Sequence, residues 1–134
     1  MPASRVAPYG GVEPLFGTNP MSVAAGGEFA LDMATSQVCF GEVKHRRAQR
    51  RPLDRGWVTD AGGRPTTKPD EAYALSPLGG YKGQGLAMAV TLLAGVLTGA
   101  PLDWQLYQVG DLLFYDPPRL AGTAGATRHR PQRR

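Results

Sequence analysis

Apolar residues fall in short, differently patterned runs along this 134-residue chain, and the runs set the expected elements. Residues 1–20 are rich in proline and glycine and read as an irregular, well-pinned loop. M-S-V-A-A at 21–25 and E-F-A-L-D-M at 28–33 flank Gly26 and Gly27, which predicts two strands joined as a hairpin. Their apolar positions alternate only roughly, so both faces of the hairpin are expected to be covered. From 36 to 51 the spacing turns helical, with Val38, Val43 and Ala48 inward, arginines outward and Ser36 as the N-cap. Residues 57–59 suit a short strand, and 60–69 suit a turn followed by an extended passage. Residues 70–75 are too short to assign. Residues 85–99 give the clearest helix, apolar on nearly every side, and so expected to be buried by elements this short chain hardly supplies. Residues 106–115 suit one strand, stopped by D-P-P at 116–118.

Composition makes the chain globular and at most one domain: hydrophobic residues are 42% and charged residues 19%. With 18 glycines and 12 prolines, much of it must be loop. A single cysteine, Cys39, excludes an internal disulfide framework and fits a reducing compartment. Its neighbours Val38 and Phe40 predict a buried thiol. Residues 1–14 lack the apolar core of a secretory signal, and 86–97 are too short to span a bilayer. A cytoplasmic protein without a membrane partner is expected.

The formal charge of +4 is unevenly placed. One basic run holds Lys44, Arg46, Arg47, Arg50, Arg51 and Arg55; another holds Arg119, Arg128, Arg130, Arg133 and Arg134. Neither has interleaved aromatics or zinc-ligand spacing. A solvated helix face and a disordered tail over 117–134 account for them more simply than nucleic acid does. A non-catalytic, basic nucleic-acid or protein-binding module is the rival reading.

The densest chemical signal is S-P-L-G-G-Y-K-G-Q-G at 76–85. Glycines let backbone amides approach a ligand, and a helix starting beside them adds donors and a positive dipole end. Lys82 adds a full charge, so a phosphate or carboxylate would suit the loop. Plain turn chemistry explains the glycines equally well. The phosphate-loop signature fails because Gly83, not Ser or Thr, follows Lys82. The dinucleotide signature fails because Gly80, Gly83 and Gly85 have the reverse spacing. Asp32, between apolar neighbours, reads as a buried carboxylate that caps the next segment or touches a ligand. Thr18 and Asn19, on the G-T-N-P turn, either satisfy their own backbone or bind a carboxylate.

Five motifs in order join into a wider pattern. They are A-P-Y-G-G-V-E-P-L-F-G-T-N-P at 7–20, F-A-L-D-M-A-T-S at 29–36, G-W-V-T-D-A-G-G-R-P-T-T-K-P at 56–69, the loop at 76–85, and L-A-G-V-L-T-G-A at 93–100. From about 6 to 101 the chain resembles the malate/L-lactate dehydrogenase family of the non-Rossmann type, with its ureidoglycolate, sulfolactate and imino-acid relatives. The resemblance implies an α/β fold: part of a nicotinamide-cofactor domain, a largely antiparallel sheet flanked by helices, over residues 1–116. It implies NAD or NADP held by Asp32, Met33, Ala34 and Lys82, with the loop glycines Gly80 and Gly83. Ser4 is the nearest match to an upstream cofactor serine, though shifted. Thr18 and Asn19 become substrate candidates, the substrate being a small 2-hydroxy or 2-oxo acid or an imino acid, and a homodimer is implied. Glu42 falls where some relatives carry an aspartate, and reads as a surface glutamate. The family's proton-transferring histidine lies N-terminal to the G-T-N-P region, and neither His45 nor His129 matches it. No catalytic residue and no metal ligand is therefore assigned, and the chain alone is expected to be inactive.

Overall fold

The structure is a computed structural model and describes residues 4–109 and 112–115. The expected tail over 117–134 and His129 lie outside the described residues. At the centre is a three-stranded antiparallel sheet in the order β4-β3-β5, made of β3 (Val58–Thr59), β4 (Pro65–Thr66) and β5 (Ala74–Leu75). The N-terminal segment runs parallel to β5: Leu75 N–H donates to Arg5 O at 2.8 Å, and Ala7 N–H donates to Leu75 O at 3.1 Å. Phe16 then pairs antiparallel with Val6. These pairings gather Val6, Phe16, Val58 and Leu75 around Val43, Leu53 and Ala87, and those seven residues are the core. The apolar contributors come from loops as much as from elements, consistent with the glycine and proline content.

The hairpin forms as expected, from β1 (Met21–Ala25) and β2 (Phe29–Met33) with Ala25 opposite Phe29. Gly26 and Gly27 take φ of 64° and 79°, a region that side-chain-bearing residues disfavour. The expected cover is not found among the described residues: residues 22–32 are exposed along both faces, Phe29 by 55%. Asp32 is accordingly exposed rather than buried, because apolar neighbours in a strand with two bare faces confer no burial.

The first helix, α1, spans Phe40–Ala48, shorter than the expected 36–51. Ser36 does not cap it. Its backbone bridges Pro77 and its hydroxyl donates to Val38 O at 2.8 Å, so the segment is committed to pairing before a helix can start. Cys39 stands at the N-cap and is exposed, contrary to the buried thiol expected. Val43 points into the core as expected, while Ala48 is exposed. The helix ends in a Schellman arrangement. Arg51 N–H donates to Arg46 O at 2.9 Å and Arg50 N–H to Arg47 O at 3.1 Å, with Arg50 itself at φ 55°. Glycine usually fills that left-handed position, since a Cβ costs roughly 1–2 kcal/mol there. Arg50→Gly is expected to raise stability by about 1 kcal/mol, seen as a higher urea midpoint; a lower midpoint would show that the Arg50 side chain stabilises the fold.

The second helix, α2, spans Tyr81–Val90 and widens into a π segment over Thr91–Val96. It starts four residues before the expected 85. The change to π geometry falls at Thr91, whose hydroxyl competes for Ala87 O at 3.0 Å together with Asn19 Nδ2, also at 3.0 Å. The expected single strand at 106–115 is instead two, β6 (Leu106–Val109) and β7 (Leu112–Tyr115), paired antiparallel. No helix among the described residues is long and apolar enough to cross a membrane.

Two arginines of the basic run, Arg46 and Arg47, are spent inside the fold. Arg46 donates to Glu42 at 2.8 Å and Pro52 O at 3.0 Å, and its guanidinium stacks 5.0 Å from the Trp57 ring centre. That pairing holds the Glu42 carboxyl below its ordinary value. Arg47 bonds to Pro69 O and pairs with Asp70 at 3.2 Å. Glu42 is thus the surface glutamate expected of it.

Candidate functional site

Three of the sequence motifs meet at one residue, Thr35, which is wholly buried. Its N–H and its hydroxyl both donate to Thr18 O, at 2.8 and 2.9 Å. Its carbonyl accepts from Leu78 N–H at 2.9 Å. The G-T-N-P turn, the D-M-A segment just before Thr35 and the glycine loop are therefore tied to a common point. Gln37 N–H donates to Ser76 O at 2.8 Å, and Gln37 Oε1 accepts from Gly79 N–H at 3.3 Å, so the pairing continues along the loop. Nothing in the periodicity marks Thr35. Only its place directly after D-M-A would have drawn attention to it.

On the other side the A-P-Y-G-G loop closes over the same turn. Tyr9 N–H donates to Gln84 Oε1 at 2.6 Å, and the Tyr9 and Tyr81 rings meet edge to face at 6.2 Å. A cleft of about 410 Å³ lies between these loops, lined by Pro8, Tyr9, Gln37, Thr59, Pro77 and Gly80 among others. Asp32, Met33, Ala34 and Lys82 do not line it. Asp32 and Lys82 are exposed, and Met33 and Ala34 are half-buried.

The loop glycines have different reasons. Gly80 precedes α2 at φ 68° and forms its N-cap, with no side chain capping the helix and no acid in the first turn. The first-turn amides and the positive dipole end are thus left to whatever anion approaches, with Lys82 beside them. Gly83 faces inward instead: a Cβ there would stand 2.2 Å from Leu78 O. Its glycine is dictated by the closeness of helix to turn. Ser4 is 2% exposed, and its hydroxyl has no partner among the described residues. Asn19 sits at φ 40° and donates both to Ala87 O and to Thr91 Oγ1, at 3.0 and 2.9 Å. His45 is exposed in the last turn of α1. No cluster among the described residues could hold a metal ion.

The fold and loop together define an α/β unit that presents an uncapped, lysine-bearing helix entrance outside both usual nucleotide signatures. The sequence profile of the malate/L-lactate dehydrogenase family matches residues 2–114. The chain belongs to that family. It is 40% identical over 110 residues to the NAD(+) ureidoglycolate dehydrogenase of Escherichia coli, an alignment covering 79% of this chain and 32% of that protein. It is 45% identical over 102 residues to Delta(1)-pyrroline-2-carboxylate reductase 2 of Burkholderia multivorans, covering 72% of this chain and 30% of that one. The crystal structure of delta1-piperideine-2-carboxylate reductase from Pseudomonas syringae superposes with a TM-score of 0.72 at 35% identity, covering 90% of this chain and 42% of that one. The chain spans about a third of the length of the curated relatives it matches.

Proposed function

We propose that this chain is the cofactor-facing portion of an NAD(P)-dependent oxidoreductase acting on the CH–OH of a small 2-hydroxy acid or the C=N of a cyclic imino acid. The observation that carries it is the convergence of the D-M-A segment, the G-T-N-P turn and the glycine loop on Thr35. The residues present fit a nicotinamide dinucleotide. Its phosphates call for donors and positive charge, which the uncapped start of α2 and Lys82 offer. The buried Ser4 hydroxyl, unpartnered among the described residues, would gain a partner from such a ligand.

When bound, the nicotinamide ring supplies or accepts the hydride. Asp32, Met33 and Ala34, at the end of β2, would hold the nicotinamide portion, and Gly80 would let the backbone approach the phosphates. Asn19 has both amide protons committed within the chain, so it positions the turn, and Thr18 is left to meet the substrate. The same reading places the protein in the cytoplasm as a homo-oligomer. Relatives of both kinds, one named for NAD(+) and one for NADP(+), provide precedent for either cofactor.

Lys82→Ala tests the reading in whatever assembly binds NADH or NADPH. Removing one charge-assisted contact costs about 1.5–3 kcal/mol, hence a tenfold or greater rise in Kd by cofactor fluorescence. Binding within twofold of the parent would remove the anion-loop assignment.

A further inference from the structure

Where α1 ends, a hollow of about 560 Å³ is lined by Arg47, Arg50, Arg51 and Lys68, with Asp70 and Glu71 among them. Both acids are already taken. Arg47 pairs with Asp70 at 3.2 Å, and Lys68 with Glu71 at 2.7 Å. Arg50 and Arg51 have no carboxylate partner among the described residues. Arg51 reaches the neutral Gln49 Oε1, at 3.4 Å. The backbone fixes both arginines in place. Arg50 N–H donates to Arg47 O, Arg51 N–H to Arg46 O, and Leu53 N–H to Thr67 O at 2.8 Å, which ties the helix end to the far part of the hollow. The first two bonds occupy carbonyls of the last turn, so the negative end of the helix is blunted beside the arginines. Arg50 pays for its place in strain: at φ 55° it holds a long cation where the backbone favours a residue with no side chain. Strain kept in this way points to a use for the side chain.

We propose that Arg50 and Arg51 form a binding site for a diphosphate group, free or carried on a nucleoside, apart from the cleft beside the glycine loop. Each guanidinium offers two parallel N–H groups to one phosphate. Consecutive residues root the two forks about 3.8 Å apart, the scale of two linked phosphates. A hollow of this size is within the range that holds a small ligand. Asp70 and Glu71 line the same hollow and would repel an extended polyanion such as nucleic acid, so a compact anion is the better occupant. The hollow shares no residue with the cleft lined by Tyr9, Thr59 and Gly80, and Lys82 does not line it. The inference therefore does not rest on the cofactor assignment.

Calorimetric titration of the 134-residue chain with inorganic pyrophosphate at low salt reads the site. Saturable one-to-one binding is expected, with orthophosphate at least tenfold weaker. Arg50→Gly is the informative variant, because it removes the guanidinium and relieves the strain together. It is expected to bind pyrophosphate at least tenfold more weakly while its urea midpoint rises, so unfolding cannot account for the loss. Arg51→Gln is expected to lose as much. Arg55→Gln, in the same basic run but outside the hollow, and Lys82→Ala are expected to bind within twofold of the parent. ADP titrated in parallel separates the two sources. Affinity within threefold of pyrophosphate's marks the diphosphate alone as the group recognised, and tenfold tighter binding marks a nucleoside diphosphate; either must fall in Arg50→Gly. No saturable binding, or an Arg50→Gly chain that binds within twofold of the parent, would overturn the proposal. An equal loss in Arg55→Gln would also overturn it, as the mark of a diffuse basic field. A tenfold loss in Lys82→Ala would do the same by moving the anion to the start of α2.

Discussion

The purified 134-residue chain is expected to give no turnover with NADH or NADPH against pyruvate, oxaloacetate or a cyclic imino acid. Hydride transfer at a carbonyl or imine needs a group to deliver or accept a proton at the neighbouring atom. That contribution alone is worth roughly 10²–10⁴-fold. His45, the histidine among the described residues, is exposed in the last turn of α1 beside Arg46 and Arg47. Its backbone serves the helix end by accepting from Gln49 N–H at 3.1 Å. Nothing in that setting aims an imidazole at a substrate. A steady-state assay decides the matter: robust turnover abolished by His45→Ala would make α1 part of the catalytic surface and overturn the assignment of the site to the Thr35 junction.

Two glycine substitutions two residues apart are expected to act in opposite directions. Gly83→Ala places a methyl group 2.2 Å from Leu78 O and 2.5 Å from Leu78 N, both backbone atoms. Neither can swing aside as a side-chain tip would, so the helix must lift from the turn. A loss of about 3 kcal/mol is expected, the upper end of the overpacking range. Gly85→Ala meets nothing within 4 Å and lies inside α2. It should gain roughly 0.5–1 kcal/mol from helix propensity alone. Urea midpoints of the two variants and the parent, measured together, check the pair. A Gly83→Ala protein as stable as the parent would show that the helix and the 76–80 turn are not in contact in solution.

The same glycine explains where sequence reading succeeded and failed. Gly26 and Gly27 flag the hairpin because the backbone there demands what only glycine gives freely. Gly83 and Gly85 look alike in the sequence, and a glycine-dense stretch reads as loop up to the expected helix start at 85, four residues later than α2 begins. The first is a packing glycine and the second is fortuitous, a distinction that exists only once the turn at Leu78 is in place. Ser36 fails as a cap for a related reason. Its preference for helix starts is a local property, and strand-like pairing with Pro77 overrides it. The burial expected for Asp32 and Cys39 came from their neighbours in sequence, whereas burial is set by neighbours in space.

The candidate site was legible as separate motifs and not as a junction. Each motif can be recognised by its own residues. The residue that joins them, Thr35, has no pattern of its own. The basic run shows the converse. It is conspicuous in the sequence, yet Arg46 and Arg47 are consumed in holding α1 to Pro52 and Pro69. Two of the six charges thus have internal partners that the sequence alone does not show.

Thr35 also sets a ruler for the chemistry. The turn that would meet a substrate and the loop that would meet a cofactor are each one hydrogen bond away from the same buried residue. Their separation is thereby fixed by covalent geometry across a single residue and not by the slack of two independent loops. Reactions that pass an atom between two bound molecules lose about 10²-fold when one is misplaced by 1 Å. A scaffold that dimensions both from one point can change the shape of either pocket by substitution while leaving the gap between them alone. That is a physical licence for one architecture to serve hydroxy acids in some members and cyclic imines in others.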